Sequence, residues 1–388
     1  MKKRIFTFLL LLSFVFAFCF NQSNNKRVIA ETLNVNSKSV YLIDSNTNSV
    51  IYSKNETERL PIASMCKIMT LLITFENINN GNLSVDEQII ISKNASSMGG
   101  SQVFLEENNT YLVNDLIKSV VVASANDASV ALAERICGSE ENFVEEMNAK
   151  CNELNMDNTH FVNCTGLPKD GQYSCAKDVA TMFTKLIKFK DYFNYSTIWM
   201  DKIFHDTNRY TEISNTNKLV RFYSGCNGGK TGYTKEAGHC LSACASKNNT
   251  NLVCVVIKAP DSKTRFGDVS HLFDYGFNNY TTKKVVDKDK VFEIETDIKG
   301  SRLQKLKANL QDDFYFFIKK GEKVAFEFDY NINKNLSAPL KVGDKIGVLD
   351  IYNNGKQVAS INVLSAEKVN RRTYSESLQD CIKNWFVI

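Results

Sequence analysis

The sequence predicts an α+β domain, followed by a smaller all-β domain and a C-terminal amphipathic helix. Helical patterns in the first 280 residues are enclosed by strand-like patterns from both ends of that segment, which favours a mainly antiparallel sheet. After about residue 280, short apolar strands alternate with polar turns. The 388 residues suffice for two cores, and 43% hydrophobic against 23% charged residues is typical of a globular protein.

Residues 1–30 are predicted to form a secretory signal peptide rather than part of the fold. Residues 2–4 are basic, and the apolar run over residues 5–20 is marginally short for a membrane span. Residues 28–30 offer small-residue cleavage, whereas lipid attachment at Cys19 is the alternative and fits less well because bulky Phe18 precedes it. The pattern therefore predicts export, with the cleavage site left open.

Between residues 31 and 280 the predicted elements begin with a β-hairpin and a buried helix. Residues 39–44 and 50–53 have strand patterns on either side of a polar turn. Residues 61–73 are apolar on every side and begin with Pro61, which suits the first turn of a helix. Further helices are predicted at 113–123, 128–136, 143–154, 175–187 and 269–277, and further strands at 89–91, 228–244 and 252–257.

The last hundred residues are predicted to form a β-domain over residues 281–366 and a tail over residues 367–388. The predicted strands span residues 291–294, 314–318, 324–328, 346–351 and 358–361. A favourable hairpin turn covers residues 353–356, and no catalytic cluster is present, so this domain is expected to serve spacing or binding. In the tail, Leu378, Ile382 and Trp385 share a helical face near basic residues, as in a helix that lies on a membrane surface or packs on its own domain.

The cysteines indicate neither disulfides nor a metal cofactor, and the net charge does not indicate a nucleic-acid partner. Ten of the eleven cysteines lie beyond the signal peptide without a Cys-x-x-Cys pair, and a chain of this length needs no disulfides, so mostly free thiols are expected. Cys240 and Cys244 with His239 suggest a metal site, but the flanking alternation predicts a strand, so no metal is expected. The net charge of +4 is spread over residues of both signs and does not indicate nucleic-acid binding.

Ser64 and Lys67 lie three residues apart on the predicted buried helix and therefore share one face. Apolar surroundings disfavour the charged form of a lysine, so the pKa of Lys67 is expected to fall. A neutral amine at Lys67 would accept the hydroxyl proton of Ser64 and make that oxygen a nucleophile. Because Ser-x-x-Lys also occurs by chance in many chains, the prediction depends on two further motifs.

Two further motifs supply groups for the same cleft. Ser124 and Asn126 lie in a tight turn between apolar helices, where the hydroxyl would relay a proton and the amide would orient the lysine or a substrate carbonyl. Lys230, Thr231 and Gly232 lie on a predicted strand, with the lysine and the glycine on one face. Glycine there permits the close approach of a ligand backbone, and the lysine suits a substrate carboxylate.

Ser-x-x-Lys, Ser-x-Asn and Lys-Thr-Gly in this order form the motif set of penicillin-binding proteins and class A β-lactamases. Residues 61–70, 124–128, 163–167 and 230–238 resemble D-alanyl-D-alanine carboxypeptidases of the low-molecular-weight penicillin-binding type, and the resemblance extends from about residue 35 to the C-terminus. It implies a β-lactamase/transpeptidase-like serine peptidase domain over residues 31–280, a β-rich stalk and a membrane-surface tail.

The resemblance also implies an activity and residue roles. The enzyme would remove the terminal D-alanine from peptidoglycan stem pentapeptides without a cofactor, at the extracytoplasmic face of the membrane, and β-lactams would inhibit it covalently. Ser64 would be the acylated nucleophile, Lys67 its general base and Ser124 the group that passes the proton to the leaving D-alanine. Substrate binding would fall to Asn126 for the amide, to Lys230 and Thr231 for the carboxylate, to Gly232 and Tyr233 beside them, and to Arg265 as a second cation. The backbone N–H groups of Ser64 and Tyr233 would form the oxyanion hole.

Three positions depart from the usual sequence of the family. Gln172 stands where histidine is common, and Asn227 stands near a position where an acidic residue is common. Both lie outside the three motifs, so they bear on substrate detail rather than on activity. Cys66, beside the nucleophile, is unusual and is expected to be open to oxidation.

Three other functions, two enzymatic and one non-catalytic, are alternatives to the carboxypeptidase prediction. A class A β-lactamase needs a deacylating glutamate in Glu-x-x-Leu-Asn, and Cys151 stands at that position here. A D,D-endopeptidase would share all three motifs. A non-catalytic wall-binding protein with this fold is disfavoured because Ser64, Lys67 and Lys230 are intact.

Overall fold

The computed structural model describes residues 33–206 and 209–386, so the predicted signal peptide lies outside the described residues. Residues 33–35 have no regular secondary structure. The strands up to residue 259 are β1 (Ser39–Asp44), β2 (Ser49–Lys54), β3 (Gln88–Ile90), β4 (Thr110–Leu112), β5 (Met200–Phe204), β6 (Tyr210–Ser214), β7 (Cys226–Thr234), β8 (Gly238–Lys247) and β9 (Thr250–Ala259). The helices up to residue 279 are α1 (Lys67–Asn79), α2 (Lys93–Ser96), α3 (Val113–Lys118), α4 (Asn126–Cys137), α5 (Glu140–Glu153), α6 (Ala176–Leu186), α7 (Tyr192–Ser196), α8 (Leu219–Phe222) and α9 (Ser262–Asn279).

A five-stranded antiparallel sheet in the order β2-β1-β9-β8-β7 forms the framework of the first domain. Strand β1, at the beginning of this domain, pairs with β9, near its end, so that Tyr41 opposes Val255. Val255 belongs to the main core, whereas Leu252 faces α9, where a Cβ added at Gly276 would lie 2.6 Å from Leu252 Cδ1. Burial on both faces explains the unbroken apolar sequence of β9. The predicted hairpin and antiparallel sheet are confirmed.

Helix α1 occupies the centre of the core, and every residue from Lys67 to Phe75 is buried. This burial explains why the sequence is apolar on every side. A 3₁₀ turn, Ala63–Cys66, precedes the helix, so the regular helix begins later than predicted. Ala63 has a φ of +48°, which an α-helix does not contain, so Ser64 lies in the turn rather than on the helix.

The predicted β segment around residues 228–244 is instead two strands, β7 and β8, joined by a turn. Thr234 Oγ1 accepts a hydrogen bond of 3.0 Å from Ala237 N within that turn. Strand β7 ends the sheet order, so one of its edges has no partner strand in the part of the chain that the structure describes. An open edge of this kind can pair with an extended peptide.

The C-terminal region is built from seven strands, β10 (Tyr280–Val286), β11 (Phe292–Glu295), β12 (Lys305–Leu310), β13 (Phe314–Lys319), β14 (Phe326–Ile332), β15 (Lys345–Asn353) and β16 (Lys356–Ser365). Five of them form an antiparallel sheet in the order β11-β12-β16-β15-β14, with a core that includes Leu306, Leu349 and Val363. The all-β domain is confirmed. The sequence analysis misses β10 and β12, and β13 pairs with β10 outside this sheet.

Helix α10 (Tyr374–Phe386) follows the last strand. Among the described residues, no helix is both long enough and apolar enough to cross a bilayer. The ten cysteines from Cys66 to Cys381 are unpaired, and the described side chains include no group of three His, Cys, Asp or Glu that could hold a metal ion.

Candidate active site

The side chains of Ser64 and Lys67 meet at the entry to α1. Lys67 Nζ lies 3.2 Å from Ser64 Oγ and 2.5 Å from the carbonyl oxygen of Thr165. Lys67 is fully buried, whereas Ser64 in the 3₁₀ turn is partly exposed. A buried amine therefore adjoins an accessible hydroxyl.

Burial lowers the pKa of Lys67 to about 8, from an ordinary value of 10.5. Loss of hydration disfavours the ammonium form, and the nearby Cys66, Cys164 and Asp127 offset only part of that effect. At neutral pH a fraction of the protein therefore carries a free amine next to the Ser64 hydroxyl. The predicted fall in the pKa is confirmed.

Ser124 brings the second motif into contact with the third. It follows a π-type turn, Ser119–Ala123, and has a left-handed backbone with a φ of +63°. Its Oγ lies 2.6 Å from Lys230 Nζ. The carboxylate of Asp127, to which the sequence analysis gives no role, ties the start of α4 to a neighbouring segment by accepting hydrogen bonds from the backbone N–H groups of Val103 and Leu105.

The side-chain amide of Asn126 is only half satisfied. Its Nδ2 donates to the carbonyl of Gly99 at 2.6 Å, whereas its Oδ1 is buried without a hydrogen-bond partner among the described residues. Neither atom is bonded to Lys67, so of the two predicted orienting roles only the one toward a substrate is open. An unpaired buried oxygen suits a ligand N–H group.

Lys230 lies on β7 and is only 1% exposed. Its pKa is lowered well below the ordinary value, first by burial and then by the positive charges of Lys67 and Arg265. The site thus brings three basic side chains, Lys67, Lys230 and Arg265, into a region shielded from water, where the positive charge of each disfavours that of the others. Such a region favours a ligand that carries a negative charge.

Gly232 lies where β7 passes the 3₁₀ turn that carries Ser64. A Cβ at this position would lie 2.6 Å from the carbonyl oxygen of Ile62 and 3.2 Å from Ser64 N. The close approach predicted at this glycine is therefore made by the protein's own main chain. On either side, Thr231 is buried, whereas Tyr233 is exposed and its ring stacks on His239 at 4.4 Å between centroids.

Arg265, on α9, is hydrogen-bonded to the backbone of the sheet. Its Nη1 donates to the carbonyl oxygens of Gly232 and Cys240, each at 3.2 Å. The guanidinium therefore ties β7 to β8 beside the site, and its Nε is buried without a partner in the described part of the chain. Its predicted contact with a substrate carboxylate stays a prediction.

Residues 25–261 match the sequence family described as D-alanyl-D-alanine carboxypeptidase, and residues 280–371 match the C-terminal domain of penicillin-binding protein 5. The chain belongs to the D-alanyl-D-alanine carboxypeptidase family. The predicted family, its serine hydrolase class and the two-domain fold are thereby confirmed.

Relatives of this carboxypeptidase family cover most of the chain. The D-alanyl-D-alanine carboxypeptidase DacF of Bacillus subtilis is 36% identical over 349 residues, 90% of each protein. The crystal structure of penicillin-binding protein 5 from Haemophilus influenzae superposes with a TM-score of 0.69 at 29% identity, over 87% of this chain and 98% of that one. Penicillin-binding protein D2 of Listeria monocytogenes, solved in an ampicillin-bound form, matches at a TM-score of 0.57 and 28% identity, over 63% of this chain and 99% of that one.

The carbonyl oxygen of Thr165 is the site group that the sequence analysis misses. Residues 163–167 resemble the carboxypeptidase family, but the resemblance alone gave no role to a main-chain atom. Any residue type offers such an oxygen, so no side-chain signal marks it. The structure identifies it through its contact with Lys67 Nζ.

The prediction that Cys66 is open to oxidation is wrong. Cys66 is fully buried, and its Sγ lies 3.2 Å from the carbonyl oxygen of Asn163. Burial raises the pKa of its thiol to about 12. Because oxidants attack the accessible thiolate, a thiol that is both buried and protonated is inert.

Proposed function

We propose that this protein removes the terminal D-alanine from peptidoglycan stem pentapeptides through an acyl-enzyme at Ser64. The observation that carries the proposal is the pair formed by Ser64 Oγ and Lys67 Nζ at 3.2 Å, with a lysine pKa of about 8. A buried amine of this pKa is a general base that works near neutral pH. Family membership supplies the substrate class.

In the acylation step, neutral Lys67 takes the proton of Ser64 as its oxygen attacks the carbonyl carbon of the penultimate D-alanine. The backbone N–H groups of Ser64 and Tyr233 stabilise the oxyanion. As the C–N bond breaks, Ser124 donates its proton to the nitrogen of the leaving D-alanine and takes one in return from the Lys67 ammonium, which becomes neutral again. The neighbouring Lys230 contacts Ser124 Oγ and orients it for this relay. In the second step Lys67 takes a proton from water as the water oxygen attacks the acyl carbonyl carbon. Lys67 then returns a proton to Ser64 Oγ as the ester bond breaks, and the shortened stem peptide leaves with a new carboxyl group.

Substrate binding follows from the edge of the sheet and its charge. The open edge of β7 accepts the stem peptide in extended form, and the unpaired Oδ1 of Asn126 accepts an N–H from it. Lys230 and Thr231, with Arg265 nearby, attract the terminal carboxylate. A β-lactam presents a carboxylate and a reactive amide in a similar arrangement, so we propose that it acylates Ser64 as well.

We further propose that the protein is exported and lies on the membrane surface through its tail. One side of α10 is tied to the β-domain, since Arg302 forms an ion pair of 2.6 Å with Asp380. On the same helix Leu378 and Ile382 are half exposed, and Trp385 is 86% exposed. The apolar side chains of α10 thus remain exposed to solvent while its polar side is bound to the β-domain, an arrangement that suits insertion at a lipid interface.

The decisive experiment is to incubate the purified protein with a labelled penicillin and follow its intact mass, alongside Ser64→Ala. We expect a stable adduct that Ser64→Ala abolishes and that the control Ser96→Ala, at a partly exposed serine of α2, retains. Release of D-alanine from a synthetic stem pentapeptide should show the same dependence.

Other outcomes would contradict the proposal in distinct ways. Rapid hydrolysis of the penicillin would indicate a β-lactamase. Cleavage of a crosslinked muropeptide dimer without cleavage of the pentapeptide would indicate an endopeptidase. A folded wild-type protein that forms no adduct would indicate a wall-binding protein without activity.

A further inference from the structure

The loop that supports Lys67 is organised by side-chain amides. Asn163 Oδ1 accepts hydrogen bonds from Gly166 N at 2.7 Å and from both N and Oγ1 of Thr165 at 3.3 Å. Its Nδ2 donates to the carbonyl of Leu167 at 2.9 Å. One asparagine thus fixes the backbone of residues 165–167, including the carbonyl that contacts Lys67 Nζ.

Gln172 in turn fixes that asparagine. Its Oε1 accepts hydrogen bonds from Val162 N at 3.0 Å and from Asn163 N at 3.1 Å. Its Nε2 donates to Asn163 Oδ1 at 3.2 Å. These three side-chain hydrogen bonds of Gln172 are therefore all made to the start of this loop.

The loop also packs against the nucleophile. Gly166 has a φ of +83°, and a Cβ there would lie 2.1 Å from the carbonyl oxygen of Ala63 and 2.9 Å from Ser64 N. The loop therefore sets both members of the reacting pair, because Thr165 holds the amine of Lys67 and Gly166 abuts the turn that carries Ser64. A shift of the loop would change the distance across which the proton moves.

We propose that Gln172 is a positioning residue for acylation, acting through Asn163 on the Thr165 carbonyl and so on Lys67. The proposal rests on the proposed function, since it concerns the same proton transfer. Gln172 contributes geometry to the reaction, so its loss should slow the chemical step and leave the affinity for the ligand unchanged.

Two substitutions test this role. Gln172→Met keeps the length of the side chain and removes its three hydrogen bonds. Gln172→Glu keeps acceptors for the N–H groups of Val162 and Asn163 and places an oxygen against Asn163 Oδ1, where the amide nitrogen donated. In single-turnover labelling with penicillin, both variants should acylate more slowly by roughly tenfold, while the dissociation constant of the non-covalent complex stays within about twofold.

Asn148→Ala is the matched control for stability. Asn148 makes two hydrogen bonds of 2.9 Å to the backbone of Phe161, next to the loop, but none to Asn163 or Thr165. The Asn148→Ala variant should lower the melting temperature, as Gln172→Met does, but its acylation rate should stay near that of the wild-type protein. If Gln172→Met fails to fold, Gln172→Glu carries the test.

The outcomes separate this proposal from the function on which it rests. Absence of labelling at Ser64 in the wild-type protein would overturn the proposed function itself. Labelling of wild type together with unchanged acylation rates in both Gln172 variants would overturn only the positioning role. An equal loss of rate in Asn148→Ala would also overturn it, because the effect would then be one of general stability.

Discussion

In the proposed mechanism Lys67 acts through its charge state, which the pH controls. Below its pKa the amine is protonated and cannot accept the proton of Ser64, whereas above it the amine is free. Since burial lowers this pKa to about 8, the rate of acylation should rise as the pH increases through 8 and then level off. Pre-steady-state labelling with penicillin at a series of pH values measures this directly.

The control for this prediction is Lys67→Ala, which should remain folded and show no acylation at any pH. A rate that is constant across that range in the wild-type protein would contradict the role of Lys67 as base. So would a rate that falls as the pH rises, because the neutral amine would then be the inactive form.

At the residue scale, sequence predicts the side chains of the site but not their supports. Ser64 and Lys67 are close in sequence, so local geometry suffices to bring them together. The contact of Ser124 with Lys230 spans more than a hundred residues and follows only from the fold, although the motif set anticipates it. Thr165 contributes a main-chain oxygen, which the sequence does not distinguish from any other.

At the scale of elements, the loop at Gly166 should tolerate no Cβ. Gly166→Ala would place a methyl group 2.1 Å from the main-chain oxygen of Ala63 and force the 3₁₀ turn that carries Ser64 to move. We expect a loss of more than about 2 kcal/mol in unfolding free energy, or acylation slowed by roughly a hundredfold in the protein that still folds. Urea unfolding and penicillin labelling measure the two effects.

Gly171→Ala is the matched control for this substitution. Gly171 also has a left-handed φ, +88°, but a Cβ there would meet only Val162 Cγ1 at 3.7 Å. Its cost should be limited to about 1 kcal/mol of backbone strain, with acylation retained. Equal effects of both substitutions would mean that backbone strain alone causes the losses in Gly166→Ala, and that contact with the turn that carries Ser64 does not.

The elements that the sequence predicts well are those buried on all sides, such as α1 and β9, because burial leaves an unbroken apolar run. The hairpin β5–β6 is missed for the opposite reason. In β5 only Ile203 is buried, and in β6 only Ile213, while aromatic side chains such as Phe204 are exposed. Apolar alternation, on which strand prediction depends, is therefore absent from both strands.

At the scale of the whole molecule, the C-terminal region is attached to the catalytic sheet by buried polar contacts. Thr282 Oγ1, on β10, donates to Asp44 Oδ2 at 2.7 Å, and Thr282 N donates to Thr250 Oγ1 at 2.9 Å. The chain enters β10 directly from α9, so these contacts join the two regions without a flexible linker. A direct attachment of this kind suits the β-rich stalk that the family resemblance implies.

If α10 anchors that stalk to lipid, loss of its exposed apolar side chains should release the protein from membranes. The double substitution Leu378→Ser with Ile382→Ser should lower partitioning onto phosphatidylglycerol vesicles by at least roughly tenfold, because each buried aliphatic side chain contributes about 1.5 kcal/mol or more. Phe204→Ser removes a side chain 70% exposed on β5 and serves as the control, with binding unchanged. Release of D-alanine from a soluble pentapeptide should be the same in all variants, since none of the three side chains belongs to the proposed active site. Equal vesicle binding by the double variant would show instead that α10 packs on its own domain.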